Sequence, residues 1–212
     1  MYSSHIIDTW QSKAVENKRA FIIPDGCQDV IVTLADNTPA QINVSPLYTH
    51  TAPIDITAGT AMMGFRLQPG CNISNVETDK LIQCWDSKDQ LIDRIESATT
   101  VNSNIAEALE CIRKEMGSIE QIASLLGVNV RTLQRTIKKH TDQTPLFWFR
   151  LARVRQCAKA IILSGNYSDI AYDYQYSDQA HMCREIKSWF GVTPTQLFNR
   201  EDIKAQLFDD GY

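Results

Sequence analysis

Residues 118–145 read SIEQIASLLGVNVRTLQRTIKKHTDQTP and contain a helix start, a short turn, a second helix and a stop. Ser118 is an N-cap residue followed by apolar Ile119, Ile122, Ala123 and Leu126 at helical spacing. Gly127 ends that helix, since glycine reaches positive φ without a Cβ clash. Asn129 recaps the chain, after which Val130, Leu133 and Ile137 form one stripe and Arg131, Gln134, Arg135 and Lys138 a neighbouring one. The spacing predicts a helix-turn-helix whose second helix enters the major groove of DNA. Forked donors and acceptors on arginine and glutamine suit base edges and phosphates, yet any solvated helix face has a similar composition. One such segment leaves both readings open.

A second copy favours the first of them. Ile170, Ala171, Gln175 and Ser177 lie 48 residues after Ile122, Ala123, Gly127 and Asn129. Met182, Arg184, Ile186, Lys187, Thr193 and Pro194 lie 49 after Leu133, Arg135, Ile137, Lys138, Thr144 and Pro145. Two related units therefore follow one another, with one residue inserted near the start of the second reading helix. Each ends in Thr-Pro, an N-cap followed by a proline at the first helical position.

From about Asn104 to Arg200 the chain resembles the DNA-binding domain of the AraC/XylS family of bacterial transcription regulators. In the first unit the resemblance is carried by Ile122, Ala123, Gly127, Val128, Arg135, Lys138 and Thr144-Pro145. In the second it is carried by Asp169-Ile170-Ala171, Tyr176-Ser177-Asp178-Gln179-Ala180-His181, Arg184, Lys187, Phe190-Gly191-Val192 and Thr193-Pro194. The resemblance implies two helix-turn-helix units joined by a rigid helix, here Pro145 to about Leu163, with both reading helices in adjacent major grooves. Carried over by position, Arg131, Gln134 and Arg135 become base readers of the first helix, and Gln179, Ala180, Cys183 and Arg184 hold the matching places in the second. Lys138 and Lys187 complete the expected DNA-binding set.

The chain also departs from the family pattern. Gln175 stands where the second turn usually has glycine, which predicts a turn that is strained or differently shaped. Met182 and Ile186 replace the usual aromatic residues but still fit a core stripe with Trp189. Ala180 and Cys183 are poor donors to base edges, so the second unit is expected to lean on phosphate contacts and DNA shape, and the first helix to discriminate more.

The composition of the 212 residues, 43% hydrophobic and 22% charged, is that of an ordinary soluble globular chain. No apolar run approaches the roughly 18 residues of a membrane span, and MYSSHIIDTW lacks a secretory leader's basic start and apolar core. A cytoplasmic location and no membrane partner follow. Six cysteines, at 27, 71, 84, 111, 157 and 183, show no zinc-like spacing and read as reduced, mostly buried side chains. The net charge of -4 hides an asymmetry. Residues 1–100 hold 7 Lys/Arg against 12 Asp/Glu, residues 101–200 hold 13 against 9, and the last twelve hold 1 against 4. The basic charge coincides with the helix-turn-helix units and supplies a salt-sensitive attraction to phosphate.

The N-terminal residues to about 75 read as β structure. Phe21-Ile22-Ile23, Asp29 to Leu34 and Met62 to Leu67 are β-prone runs. They are separated by turn residues at Pro24-Asp25-Gly26, Asp36-Asn37, Pro46, Pro53, Gly59 and Pro69-Gly70. The segments PDGCQDVIV at 24–32 and GFRLQPG at 64–70 resemble the small cupin-like domain that precedes this DNA-binding module in some family members. Such a domain implies small-molecule sensing, dimerisation or both. A metal cupin needs clustered His and carboxylate ligands, whereas this half offers only His5 and His50, neither in an HxH pattern. Cys27, between Asp25 and Asp29, admits a redox-sensor reading, but acidic neighbours disfavour its thiolate and favour a core cysteine. Arg66 either binds an acidic effector or, the favoured reading, pairs with a carboxylate such as Asp25 or Asp29.

Leu81, Ile82, Trp85, Leu91, Ile92 and Ile95 are spaced for helical packing, and the resulting stripe either forms a dimer interface or closes the small sheet. Residues 99–104 lack periodicity and read as a linker. His140 is expected at the surface near a helix end, and His181 by phosphate or within helix packing. The acidic stretch from Glu201 to Tyr212 reads as a solvated tail.

The expected class is α+β: a small β-rich, cupin-like domain over 1–78, connecting helices and linker over 79–103, a DNA-binding domain over 104–200 and an acidic tail over 201–212. The expected function is sequence-specific regulation of transcription on double-stranded DNA, modulated by a small-molecule effector or by homodimerisation, with RNA polymerase as a partner if the protein activates. Arg66 and Cys27 are the effector-site candidates. No enzyme activity, catalytic residue, metal or cofactor is expected. The competing reading is a ligand- or protein-binding adaptor with weak, non-specific DNA binding, its second helix misplaced by the Gln175 turn.

Overall fold

Alternation of apolar and polar side chains builds the β half. The strands are β1 (Ile6–Lys13), β2 (Lys18–Ile22), β3 (Gln28–Ala35), β4 (Thr38–Val44), β5 (Ala52–Ile56), β6 (Ala61–Leu67) and β7 (Cys71–Asn72). After the helices α1 (Thr78–Ile82) and α2 (Lys88–Ala98) come a short strand β8 (Thr100–Val101) and then α3 (Ser103–Glu115). The remaining elements are helical: α4 (Ile119–Leu125), α5 (Val130–Thr141), α6 (Pro145–Ser164), α7 (Tyr167–Asp173), α8 (Gln179–Phe190), α9 (Pro194–Leu197) and α10 (Glu201–Phe208). This computed structural model describes residues 4–35, 38–73, 76–115 and 117–212, so the turn expected at Asp36-Asn37 lies outside the described residues. The chain divides into two units: Met1–Arg19, Cys27–Leu47 and Asp55–Glu107 form the first, and Ala20–Gly26, Tyr48–Ile54 and Ala108–Tyr212 the second.

In the first unit an antiparallel sheet has the order β1-β6-β3-β4. Val30, Val32, Phe65 and Leu67 point from it into a core shared with Leu81, Cys84, Leu91 and Ile95 of the α1–α2 region. The apolar stripe of α2 thus closes the sheet. The period of two sends Asp29, Ile31, Gly64 and Arg66 to the opposite face. There the Trp10 indole lies so close over Gly64 that a Cβ would stand 2.0 Å from the ring, so only glycine fits. Arg66 Nε donates to Asp29 Oδ1 at 3.3 Å and Trp10 Nε1 to Asp29 Oδ2 at 3.3 Å.

The segment expected as a linker is ordered structure. Thr99 is buried and its hydroxyl donates to Ile95 O at 2.8 Å, β8 pairs with β7, and Asn102 Oδ1 accepts from the Asn104 amide at 3.0 Å where α3 begins. Short polar side chains satisfy the helix ends here, and this local bonding leaves no hydrophobic period to read.

The solvated-tail expectation for 201–212 is corrected. Among its acidic residues, Ile203 and Leu207 form an i, i+4 pair that is fully buried in the second unit. Tyr212 follows them in: its ring centroid lies 4.8 Å from that of Trp148, its hydroxyl donates to Leu109 O at 2.8 Å, and its amide donates to Asp25 O at 2.7 Å. Gly26, at φ 77°, makes room, since a Cβ there would come within 2.5 Å of Tyr212 Cβ. Arg155 of α6 is buried alongside and donates to Pro24 O (3.0 Å), Gln206 O (3.1 Å) and Leu207 O (3.3 Å).

Cys27, Cys84 and Cys157 are buried, and burial pushes the Cys157 thiol up to about 12. No helix among the described residues is long and apolar enough to cross a membrane.

Candidate nucleic-acid interface

The first helix-turn-helix is built by its caps. Ser118 and Gln121 form a reciprocal capping box, with Ser118 N donating to Gln121 Oε1 at 2.8 Å and Gln121 N to Ser118 Oγ at 3.3 Å. Gly127, at φ 66°, turns the chain, and Val128 N donates to Ala123 O at 2.9 Å. Asn129 Oδ1 then accepts from Thr132 N at 2.8 Å and starts α5. Leu133 and Ile137 bury one side of α5, leaving Arg131, Gln134, Arg135 and Lys138 exposed on the other. These four side chains line one open depression with Ile119 and the Thr144-Pro145-Leu146 start of α6. Lys138 Nζ also donates to Asp142 O at the end of its own helix, where Asp142 takes φ 54°. His140 is exposed in that last turn.

The second unit repeats the plan with different residues. Gln175, at φ 56°, stands where Gly127 does, and the hydrogen bonds match. Gln175 N donates to Tyr172 O at 3.0 Å as Gly127 N does to Ser124 O at 3.1 Å, and Tyr176 N donates to Ala171 O at 2.9 Å as Val128 N does to Ala123 O. The turn is therefore strained rather than reshaped. The extra residue lies between that turn and the cap: Asp178, not Ser177, caps α8, its Oδ1 accepting from His181 N at 2.6 Å.

On α8, Met182, Ile186, Trp189 and Phe190 are buried. Gln179, Ala180, Arg184 and Lys187 are exposed, and Cys183 is half-buried with its thiol pushed up by burial. Ser168 Oγ donates to Gln179 Oε1 at 3.3 Å. His181 meets the Tyr176 ring edge-on at 5.3 Å and contacts Ser177 Oγ through Nδ1 at 3.0 Å. The structure therefore groups the nine expected DNA contacts on two helices, eight of them exposed. Of the two effector candidates, Cys27 is 4% exposed and Arg66 is engaged by Asp29.

Sequence reading missed the side chain that fixes α8. Glu185 sits on the buried stripe with 2% side-chain exposure. It accepts from Arg150 Nε and Arg153 Nη2 of α6, both at 2.6 Å. Burial by itself raises the pKa of this carboxyl, but the hydrogen bond from Arg150 and the charge of Arg153 outweigh it and hold it below the usual glutamate value. Arg153 also stacks 4.3 Å over the Tyr176 ring. The available signal was a glutamate at i, i+3 from Met182, inside an otherwise apolar stripe.

Residues 122–200 match the family model described as a helix-turn-helix domain. The chain is 25% identical over 93 residues to XylDLEGF operon transcriptional activator 2 of Pseudomonas putida, a match covering 42% of this chain and 59% of that protein, which is under two thirds of the relative's length. Among solved structures, a transcriptional regulator with an AraC-type DNA-binding domain from Chromobacterium violaceum aligns with TM-score 0.43 and 20% identity over 46% of this chain and 90% of that one. ToxT of Vibrio cholerae O395 aligns with TM-score 0.44 and 11% identity over 92% of this chain and 94% of that one. With its doubled turns, paired caps and two exposed polar faces, the segment 122–200 is a helix-turn-helix domain.

Proposed function

We propose that the protein is a transcription regulator that binds specific sites in double-stranded DNA, works in the cytoplasm without catalysing a reaction, and is modulated through its N-terminal β unit by a small molecule or by dimerisation. The observation that carries this reading is the pair of turns with matching hydrogen bonds, each followed by a helix with a packed side and an exposed polar side. On α5, Arg131, Gln134 and Arg135 read base edges while Lys138 serves phosphate. On α8, Arg184 and Gln179 are the polar readers, Lys187 serves phosphate, and Ala180 with Cys183 offers apolar contact to thymine methyls. The adaptor alternative depended on a misplaced second helix; the hydrogen bonds around Gln175 support a regular turn instead.

Alanine variants at Arg131, Gln134 and Arg135, measured in binding titrations against single-base variants of a bound site, test the assignment. Each is expected to lose about 1 to 3 kcal/mol of discrimination at particular base pairs and little on random DNA. Equal losses on specific and random DNA would reduce these residues to backbone contacts.

A further inference from the structure

The end of the second reading helix is held by a residue from far upstream. The Thr51 amide and the Thr51 hydroxyl both donate to Trp189 O, each at 3.0 Å. That carbonyl belongs to the last turn of α8, where the helix offers no donor of its own and Gly191 leaves the helix at φ 72°. A Cβ on Gly191 would touch Thr51 Cβ at 3.9 Å, so the two backbones are close neighbours. Thr51 immediately precedes β5, which is hydrogen-bonded to β2. Each of these two strands begins in one unit and ends in the other. The end of β2 is secured within the helical unit too: Ile23 N donates to Gln206 Oε1 at 3.0 Å, and Gln206 Nε2 donates to Phe21 O at 2.8 Å.

We propose that Thr51 is a positioning residue for the second reading helix, setting the placement of α8 through the Trp189 carbonyl. This rests on the DNA-binding reading above and gives its modulation a physical path. A shift of β5 reaches Thr51 across one peptide bond, and through it the helix end that must fit the second half of a DNA site.

The test compares the full-length chain with Thr51→Val, which keeps the shape and loses the hydroxyl, and with Thr51→Ser, which keeps the donor. In amide hydrogen exchange, Thr51→Val should speed exchange over residues 187–191 by about three- to tenfold, the effect of one lost hydrogen bond, with α5 unchanged and Thr51→Ser like the parent. On DNA carrying a site of two blocks, one for each reading helix, Thr51→Val should bind about three- to tenfold more weakly, but no more weakly when the second block is scrambled. Unchanged exchange at 187–191, or the same affinity loss on both DNAs, would overturn the proposal. If the parent protein itself ignores the second block, the DNA reading fails, and the exchange experiment still decides whether Thr51 holds α8.

Discussion

Gln175 and Gly127 perform the same backbone task with different residues, and the difference can be measured. A Cβ on Gly127 would meet nothing within 4 Å, so Gly127→Ala should cost only the conformational strain of the left-handed region, about 1 kcal/mol in denaturant unfolding. Gln175→Gly should relieve a similar strain, although the floppier unfolded chain returns part of it, for a net gain of at most about 1 kcal/mol. A large loss in Gln175→Gly would mean that the glutamine side chain has a role beyond the turn. The need for positive φ at 175 was legible in the sequence, because the repeat aligned it with Gly127. The partner of Arg66 was legible only as a choice between Asp25 and Asp29, because facing across a sheet depends on register, and register between distant strands is not written in either strand alone.

At the level of elements, α4 and α5 could be read from caps and stripes because their bonds are local, and α7 and α8 from their repetition of that pattern. The attachment of α8 to α6 could not, since Glu185 meets arginines 32 and 35 positions away. Replacing Glu185 with Gln leaves Arg153, with 12% side-chain exposure, without its counter-ion, whereas the half-exposed Arg150 can return to water. The expected destabilisation is therefore at the lower end for a broken buried pair, about 3 kcal/mol in chemical unfolding. The folded carboxyl titrates below its unfolded value, so its stabilising contribution is complete above the unfolded pKa of about 4.3 and fades as pH falls through the folded one. In acid titrations of stability, Glu185→Gln should lack this component of the decline below about pH 4.3. A parallel pH profile in parent and variant would refute the ion pair.

Over the whole molecule, the distribution of charge and of β-prone and helical segments was legible, but the assignment of segments to units was not. Residues 20–26 and 48–54 read as part of the β half because they neighbour its strands in sequence, yet they pack with the helices. What holds them there is backbone chemistry: carbonyls of Pro24, Gln206 and Leu207 converge on the Arg155 guanidinium, and Tyr212 bonds to Asp25 and Leu109. No hydrophobic period announces such contacts. The C-terminal stretch misled for a related reason, since its acidic residues outnumber the three side chains, Ile203, Leu207 and Tyr212, that decide its packing. Tyr212→Ala should cost about 3 kcal/mol, as expected for removal of a buried aromatic ring, and should lower the thermal midpoint. Wild-type stability in that variant would restore the solvated tail.

The most direct test of two cooperating reading helices is selection of genomic DNA fragments by the purified full-length protein at two salt concentrations, followed by sequencing. The account predicts one enriched motif with two blocks about one helical turn apart, retained at the higher salt. Enrichment without a motif that disappears at the higher salt would show attraction to phosphate alone and contradict sequence-specific reading.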